Sequence, residues 1–304
     1  MRIVCDTYIP YIVDAVRREW PQVDICPLKP EEIDADAVRE ADVLVVRTRT
    51  KVNEALLAGS AVRLVCTATI GFDHIDTAYC EAHGIQWMSC PGCNAQAVCD
   101  YIEEALTEVN AKGTIGVVGV GHVGSLVAKM AERKGLKALL NDPPIGIGES
   151  LDSIEQNCDI ITFHVPLDKS TYHLCDEAFL KRCKPNALII NAARGGVVDE
   201  QALLLSGHPY ILDTWENEPK LNKDVLAGAL RASMHIAGYS VEGKRNASQM
   251  CLDAIAQQFG LEPVTIGPCT ASGDTAYGWL ERITRQLQTQ PDQFEELRKN
   301  YPLR

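Results

Sequence analysis

Long hydrophobic runs are missing from this 304-residue sequence, since no apolar stretch approaches the roughly 18 residues that a membrane-spanning helix requires. A secretion signal would begin with a basic segment followed by a longer apolar one, whereas the first residues, MRIVCD, read as a β-strand. We therefore expect a cytoplasmic protein with no membrane partner.

Positive charge is also scarce. The chain has 29 Lys and Arg residues against 41 Asp and Glu residues, which gives a net charge of −12. Proteins that bind nucleic acid gain much of their affinity by neutralising phosphates with basic side chains, so this balance argues against a nucleic-acid partner. The apolar fraction of 46% is normal for a well-packed protein, and the length suits two domains.

The cysteine pattern lacks the regularity of a disulfide framework or a metal site. Twelve cysteines are scattered along the chain, mostly among apolar neighbours, which predicts reduced thiols packed as small hydrophobic side chains. Cys90 and Cys93 form the one tight pair, and neither a second CxxC nor a pair of histidines completes four ligands. We predict no metal site. Redox or zinc chemistry is the alternative for this pair.

Short apolar runs alternate with helical patterns from the beginning of the chain. RIVCD (2–6), DVLVVR (42–47) and RLVCTA (63–68) read as strands, and amphipathic stretches at 9–19, 53–59 and 74–83 separate them. A second series consists of TIGVVG (114–119), KALLN (137–141), DIITFH (159–164), ALIINA (187–192), YILD (210–213) and ASMHIA (232–237). Nearly continuous apolar strands separated by helices predict parallel sheets that are covered on both faces.

A glycine pattern marks the beginning of the second series. Gly119, Gly121 and Gly124 form GxGxxG between a predicted strand and a predicted helix, with His122 and Val123 inside the motif. Asp142 lies 18 residues beyond the last glycine, at the end of the next strand. This context is typical of a dinucleotide site, and an acidic residue there favours NAD over NADP because it would repel a 2′-phosphate. The alternative is that Asp142 only starts the DPP turn.

These patterns predict an α/β fold with two doubly wound parallel-sheet domains, a flavodoxin-like substrate domain and a Rossmann NAD-binding domain, with the ligand cleft between them. Residues 1–92 are predicted to form the substrate domain, completed by a return helix at 241–260 that begins after Ser240 as N-cap. Residues 93–240 would form the NAD-binding domain, opened by a domain-crossing helix from about 95 to 110. Residues 261–304 would be a C-terminal extension, whose apolar stripe (Trp279, Ile283, Leu287) either packs on its own domain or forms a dimer contact.

The later strands end in polar residues that a purely structural account does not require. Arg194 follows INAA, Glu218 lies in LDTWENEP, and His235 lies in MHIAGYS. Because the carboxyl ends of parallel strands face the ligand crevice, we expect the three to lie close together. Arg194 can bind a carboxylate through its forked donors, His235 can exchange a hydroxyl proton, and Glu218 can fix the imidazole tautomer. Taken singly, each is more often a structural or solvated residue.

The segments GVVGVGHVG, NAARGGVVDE, LDTWENEP and HIAGY resemble the D-2-hydroxyacid dehydrogenase family, in order and across nearly the whole chain. The resemblance implies an NAD-dependent oxidoreductase with Arg194 and Glu218 as catalytic residues and His235 as proton donor or acceptor. It implies cofactor contacts at Asp142, Val165, Ala192, Ala193, Arg194, Asp213 and Gly238, and substrate contacts at Thr48, Thr69 and Tyr239. Val165 replaces an expected threonine, a change that a backbone contact would survive and a hydroxyl contact would not.

A closer similarity to one branch of the family implies a small phosphorylated 2-hydroxyacid as substrate and a homodimer. The phosphate needs cations besides Arg194, and Arg47, Arg49, Lys244 and Arg245 are the candidates, of which at least one is expected to bind it. Surface charge is the alternative for these four. Another D-2-hydroxyacid such as 3-phosphoglycerate is an alternative substrate, and an NADH-sensing interaction protein is an alternative of a different class.

Overall fold

The computed structural model describes residues 1–269 and 277–303. The strands are β1 (Arg2–Asp6), β2 (Asp24–Leu28), β3 (Val43–Val46), β4 (Leu64–Thr67), β5 (Gln86–Met88), β6 (Thr114–Val118), β7 (Lys137–Asp142), β8 (Ile147–Gly148), β9 (Ile160–Phe163), β10 (Leu188–Asn191), β11 (Tyr210–Leu212) and β12 (Arg231–Ala232). The helices are α1 (Ile12–Glu19), α2 (Ala35–Val38), α3 (Glu54–Leu57), α4 (Thr77–Ala82), α5 (Ala95–Glu108), α6 (His122–Arg133), α7 (Leu151–Asn157), α8 (Glu177–Arg182), α9 (Glu200–Ser206), α10 (Lys223–Gly228), α11 (Val241–Phe259), α12 (Trp279–Thr289) and α13 (Phe294–Lys299).

The chain divides into two compact units. Unit 1 comprises residues 1–94 and the described residues from 240 to 269, and unit 2 comprises residues 95–239 and 277–303. The predicted C-terminal extension thus falls partly in each unit, and its residues 270–276 and 304, which include the first two of the predicted TAYGWLERITRQLQ helix, lie outside the described residues.

Unit 1 is built on a five-stranded parallel sheet in the order β2-β1-β3-β4-β5, the flavodoxin-like order. Successive side chains of its central strands alternate between two cores. Val43 and Val45 pack with α1 and α11, whereas Leu44 and Val46 pack with α2, α3 and α4 on the other face. The continuous apolar runs of the sequence therefore cover both faces of the sheet.

Helix α11 begins and ends where the sequence predicts. The Ser240 side chain accepts a hydrogen bond from the Gly243 N–H at 2.9 Å, and Gly260 ends the helix with a φ of +63°. All twelve cysteines are free thiols. Cys90 lies 3.8 Å from the sulfur of Cys251 in the core of unit 1, and desolvation raises the pKa of Cys93 to about 12, so neither thiol of the CxxC pair has the character of a reactive thiolate.

Unit 2 is built on a seven-stranded sheet in the order β12-β11-β10-β9-β6-β7-β8, parallel except for β8, which pairs antiparallel with β7. This is the doubly wound order of a dinucleotide-binding domain extended by one strand. The apolar stripe of α12 is part of the same core, with Trp279 and Leu287 buried and Ile283 partly buried. No helix among the described residues combines the length and the apolarity that crossing a bilayer requires.

One strand prediction is wrong. ASMHIA (232–237) was predicted as a strand, but β12 comprises only Arg231 and Ala232. The chain then turns, and His235 adopts a left-handed conformation with a φ of +57°. The apolar residues Met234, Ile236 and Ala237 are buried by this turn rather than by strand pairing.

Candidate active site

The glycine-rich turn follows β6 and begins α6. Gly119 has a φ of +88°, which L side chains rarely adopt, and a Cβ there would come within 2.7 Å of the His164 carbonyl. At Gly124 a Cβ would overlap the carbonyl oxygen of Gly119. At Gly121, by contrast, an added Cβ would meet no described atom within 4 Å. The second glycine therefore leaves open space at the N-terminus of a twelve-residue helix, which fits a pyrophosphate of a dinucleotide.

Asp142 and Val165 flank this turn. Oδ2 of Asp142 accepts a hydrogen bond from the Val120 N–H at 2.7 Å. The side chain makes no capping hydrogen bond to the 3-10 turn that follows at Pro143–Ile145, so the carboxylate supports the glycine turn rather than the DPP turn. A Cβ on Gly119 would lie 2.9 Å from Cγ1 of Val165, which follows β9. The carboxyl ends of β6, β7 and β9 thus meet where the strand order reverses, the usual ligand position in such sheets.

Arg194 lies in the loop after β10. Asn191, the last residue of that strand, shapes the loop through its side-chain amide. Nδ2 donates a hydrogen bond to the Arg194 carbonyl at 2.8 Å, and Oδ1 accepts one from the Ala193 N–H at 3.0 Å. The Arg194 side chain is exposed. A Cβ on Gly195 would overlap the carbonyl group of Trp215. The glycine therefore permits the loop after β10 to contact the loop after β11.

Glu218 and His235 form a hydrogen-bonded pair. Oε1 of Glu218 lies 2.6 Å from Nδ1 of His235, and the side chains are 27% and 26% exposed, respectively. Desolvation raises the pKa of Glu218, but His235, the Trp215 N–H and the Arg298 guanidinium together outweigh it, so the net pKa is lowered. An ionised Glu218 accepts a hydrogen bond from the Nδ1–H group and thereby fixes the tautomer in which Nε2 carries the lone pair. Such an imidazole can act as a base through Nε2.

Asp213 holds the turn that carries His235. Its buried carboxylate accepts hydrogen bonds from the Ser233 hydroxyl at 2.6 Å and from the N–H groups of Ile236 and Ala237 at 2.7 and 2.9 Å. Its backbone carbonyl accepts the His235 N–H at 2.8 Å. With these contacts Asp213 organises the backbone on both sides of His235.

His164, next to the glycine turn, was not predicted as a site residue. Its Nε2 lies 3.1 Å from Oγ1 of Thr162, and its buried Nδ1 has no hydrogen-bond partner among the described residues. Desolvation lowers its pKa to about 3, so the imidazole is neutral at pH 7 and adds no positive charge beside a dinucleotide.

The predicted substrate residues of unit 1 follow β3 or β4, or lie in the first turns of α11. Nε of Arg47 donates to the buried Asp6 carboxylate at 2.9 Å. Desolvation, and to a smaller extent the positive charge of Arg47, lower the pKa of Lys244. Arg245 instead donates to Asn246 at 3.0 Å, within its own helix. Thr48 and Arg49 are exposed, and the Thr69 hydroxyl donates to the Gly71 carbonyl at 2.9 Å.

In unit 2 the predicted residues follow six strands that are neighbours in the sheet: β6, β7, β9, β10, β11 and β12. The set comprises Gly119, Gly121, His122, Val123, Gly124, Asp142, Val165, Ala192, Ala193, Arg194, Asp213, Glu218, His235, Gly238 and Tyr239. Sequence reasoning missed His164, Asn191 and Ser233. Asn191 carried a signal, since it is a polar residue at the end of an otherwise apolar strand.

The glycine turn, the strand order and Asp142 define unit 2 as the NAD-binding domain of a dehydrogenase. Residues 97–237 match the family described as D-isomer specific 2-hydroxyacid dehydrogenase, NAD binding domain. A solved relative in fold is a D-isomer specific 2-hydroxyacid dehydrogenase from Lactobacillus delbrueckii ssp. bulgaricus in an NAD-complexed form, with a TM-score of 0.72 and 21% identity over 88% of this chain and 100% of that one.

Relatives in sequence show to which branch of the 2-hydroxyacid dehydrogenases the chain belongs. The chain is 40% identical over 338 residues to erythronate-4-phosphate dehydrogenase of Bacteroides thetaiotaomicron, covering 100% of this chain and 97% of that protein. It is 37% identical over 346 residues to the enzyme of the same name from Klebsiella pneumoniae, covering 99% and 91%. The chain therefore belongs to the erythronate-4-phosphate dehydrogenase family, within the NAD-dependent D-2-hydroxyacid dehydrogenases. The fold, the family and the NAD dependence predicted from the sequence are confirmed.

Proposed function

We propose that the protein oxidises 4-phospho-D-erythronate to (R)-3-hydroxy-2-oxo-4-phosphooxybutanoate with NAD, a reaction of pyridoxal 5′-phosphate (vitamin B6) synthesis. The observation that carries the chemistry is the 2.6 Å hydrogen bond between Nδ1 of His235 and Glu218, in the unit that bears the glycine turn. The substrate is assigned because relatives about 40% identical over the full length bear the corresponding name.

The chain's own residues supply the acid–base chemistry and the orientation. His235 Nε2 takes the proton of the C2 hydroxyl, and the Glu218 carboxylate stabilises the imidazolium that forms. Arg194 presents a forked set of donors that matches the substrate carboxylate and the developing carbonyl oxygen. NAD, when bound, accepts the hydride that leaves C2. The glycine turn, Asp142 and Val165 would hold the cofactor, and Ala192, Ala193, Arg194, Asp213 and Gly238 would provide its other contacts.

Arg47 and Lys244 are the favoured phosphate ligands in this proposal. The charge of Arg47 disfavours the charged form of Lys244, and Nε of Arg47 is paired with the Asp6 carboxylate at 2.9 Å. A doubly charged phosphate would relieve their mutual repulsion. Thr48, Thr69, Arg49 and Tyr239 complete the proposed substrate set, and Arg245 remains a further candidate. The role of unit 1 as the substrate domain is part of the same proposal.

The test is an assay of purified protein with NAD and a panel of acids, followed by nicotinamide absorbance. We expect the highest kcat/KM with 4-phospho-D-erythronate, and lower values with 3-phosphoglycerate and with unphosphorylated erythronate. The variant His235→Ala should lose about 10²- to 10⁴-fold in kcat while its NAD affinity stays near wild type, and His208→Gln, in the same unit, should retain activity. Preference for 3-phosphoglycerate would reassign the substrate, and NADH binding without turnover of any hydroxyacid would favour the sensing protein.

A second experiment tests whether Arg47 and Lys244 bind the substrate phosphate. Arg47→Met with Lys244→Met should raise KM for the phosphorylated acid by at least about tenfold, with little change for erythronate. The exposed Arg39 provides the control, as Arg39→Met in the same unit. If substitution of Arg47, Arg49, Lys244 and Arg245 together left this KM unchanged, none of the four would bind the phosphate.

A homodimer and a cytoplasmic location complete the proposal. Twelve free thiols suit a reducing compartment. Leu205 and Leu230 are large apolar side chains exposed on unit 2, which suits a subunit contact. Sedimentation equilibrium of wild type and of Leu205→Glu and Leu230→Glu variants would test the dimer.

A further inference from the structure

Ser233 directly follows β12, and each of its polar groups has a partner. Its N–H donates to the Leu212 carbonyl at 3.0 Å, and its carbonyl accepts the indole N–H of Trp215 at 2.8 Å. Its hydroxyl oxygen lies 2.6 Å from Oδ1 of Asp213 and 2.8 Å from the hydroxyl of Tyr101. Ser233 is buried, and so is Tyr101, which lies in α5, 132 residues earlier in the chain. The serine therefore joins α5 to the end of β11 and the loop that follows it.

The donors that these groups carry fix the direction of the two side-chain hydrogen bonds. Both oxygens of the Asp213 carboxylate accept backbone N–H groups, from Ile236 and Ala237, so the carboxylate acts as an acceptor. The single hydroxyl hydrogen of Ser233 therefore points to Asp213, and the serine oxygen accepts the hydroxyl hydrogen of Tyr101. Donation thus runs from Tyr101 to Ser233 to Asp213, and we call these three side chains the Tyr101–Ser233–Asp213 network.

The network supports both members of the proposed catalytic pair. The Ser233 hydroxyl shares Oδ1 of Asp213 with one of the N–H groups of the turn that carries His235. The Ser233 carbonyl holds the indole of Trp215, whose backbone N–H in turn donates to Oε2 of Glu218 at 3.3 Å. The His235 turn and the Glu218 carboxylate are thus both held by groups that bind the same serine.

We infer that Tyr101 and Ser233 are positioning residues for the reaction, which orient the Asp213 carboxylate and, through it, the His235 imidazole. The inference rests on the proposed function of the His235–Glu218 pair. Two hydroxyls that donate in sequence to a buried carboxylate polarise each other, so each hydrogen bond is stronger than it would be alone. Neither Tyr101 nor Ser233 is proposed to touch the substrate or the cofactor. Their effect on the rate comes from the narrow range of distances, about 2.6–3.2 Å, over which a base can take a proton.

The test uses Tyr101→Phe, Ser233→Ala and the double variant in the full-length protein. Tyr101→Phe removes the first donor and keeps the aromatic ring that fills the core. Its matched control is Tyr210→Phe, which removes another buried tyrosine hydroxyl of unit 2, one that donates to the Val225 carbonyl at 2.7 Å. The control for Ser233→Ala is Ser248→Ala, which removes a buried serine hydroxyl from unit 1.

The first measurement is hydrogen exchange of assigned backbone amides in the protein without ligands. The amides of Ile236 and Ala237 donate to Asp213, and their exchange rates are divided by those of amides in the central strand β10. This ratio separates local opening of the turn from a lower stability of the whole unit. We expect the ratio to rise at least about tenfold in Ser233→Ala and about three- to tenfold in Tyr101→Phe, and to stay unchanged in both controls.

The second measurement is the steady-state oxidation of 4-phospho-D-erythronate with NAD. We expect kcat to fall about 10²-fold in Ser233→Ala and about three- to tenfold in Tyr101→Phe, because a misplaced base takes the proton less efficiently. KM for the acid should change by less than about threefold, since Arg194 and the proposed phosphate ligands lie outside the network. In the double variant the loss of the Tyr101 hydroxyl should have little further effect, because its acceptor is already gone. The two controls should keep the wild-type kcat.

A purely structural role predicts a different result. If Ser233→Ala and Tyr101→Phe lower the thermal stability but leave the exchange ratio or the kcat per folded molecule at the wild-type value, the two hydroxyls do not position His235 and the inference fails. An equal loss of kcat in Tyr210→Phe would also overturn it. If Ser233→Ala does not fold, the comparison of Tyr101→Phe with Tyr210→Phe decides. If wild type oxidises no hydroxyacid, the proposed function fails, whereas the exchange ratio still tests the network.

Discussion

The carboxylate of Asp213 determines where the backbone around His235 lies. It accepts the N–H groups of the two residues that follow His235, while its own carbonyl accepts the N–H of His235 itself. These contacts hold His235 in a left-handed conformation, with a φ of +57°, that residues other than glycine adopt uncommonly. The proposed base is thus positioned by a buried acid on the neighbouring strand end, and Glu218 then fixes its ring.

Asp213→Asn should damage this turn. One of the two side-chain positions changes from acceptor to donor and faces an N–H or a hydroxyl, which leaves a buried group unsatisfied at a cost of about 1–3 kcal/mol. A displacement of His235 of about 1 Å is enough to lower kcat about 10²-fold. Urea unfolding and steady-state kinetics measure the two effects, with the exposed Asp224→Asn as control. Wild-type kinetics in Asp213→Asn would show that the turn does not depend on this carboxylate.

Glu218 should also make stability depend on pH. Its pKa is lowered in the folded protein, so its contribution to the free energy of unfolding is fully present above its unfolded pKa and is lost as pH falls through the folded value. The stability difference between wild type and Glu218→Gln should therefore be largest near neutral pH and should shrink below about pH 4.5, the ordinary range of a glutamate. Urea unfolding at a series of pH values from neutral to below about 4.5 measures this difference in the free energy of unfolding. Glu132→Gln, an exposed change in α6, is the control and should show no such trend. If the stability difference for Glu218→Gln grew as the pH fell, the pKa of Glu218 would be raised in the folded protein instead of lowered.

Substitutions of Gly121 and Gly124 should have different effects, one on NAD binding and the other on stability. Gly121→Ala should fold like wild type, because its Cβ meets no described atom within 4 Å and its φ is −72°. If the cofactor approaches the backbone there, the added methyl should raise the Kd for NAD at least about tenfold. Gly124→Ala should instead lower stability by about 1–3 kcal/mol, because its Cβ overlaps the Gly119 carbonyl. Thermal unfolding and NAD titration separate the two, and unaltered NAD binding by Gly121→Ala would place the pyrophosphate elsewhere.

The central strands could be predicted from the sequence, whereas the edge strands could not. The runs around β3, β4, β6, β9 and β10 are continuously apolar because both faces of these strands are covered. At the edge of unit 1, β2 is half-buried and contains Pro27, and β5 has only three residues. An edge strand pairs on one side and tolerates proline and polar residues, so neither shows the expected pattern. The two-residue antiparallel β8 leaves no periodic signal.

The residue types of the site were predictable because parallel strands end at one edge of a sheet, but their geometry was not. His235 was expected at the end of a strand, yet a turn held by Asp213 presents it. Asp213 was expected to contact the cofactor, and its hydrogen bonds to the turn depend on three-dimensional proximity that no spacing reveals. Thr284 of α12, which accepts the Ala232 N–H, is 52 residues from Ala232 in the chain, and helical periodicity predicts which face of a helix is buried but not against what.

Asp142 should set the preference for NAD, and two substitutions separate its charge from its hydrogen bond. Asp142→Asn keeps an oxygen that can accept the Val120 N–H but removes the negative charge, so the repulsion of a 2′-phosphate should disappear and NADP should become usable. Asp142→Ala also removes the acceptor from the glycine turn, so it should weaken NAD binding as well. We expect the ratio of kcat/KM for NAD to that for NADP to fall at least about tenfold in both variants, a change of about 1.4 kcal/mol. Asp152→Asn, an exposed change in α7, should leave the ratio unchanged. An Asp142→Ala protein with its full preference for NAD would show that another group excludes the 2′-phosphate.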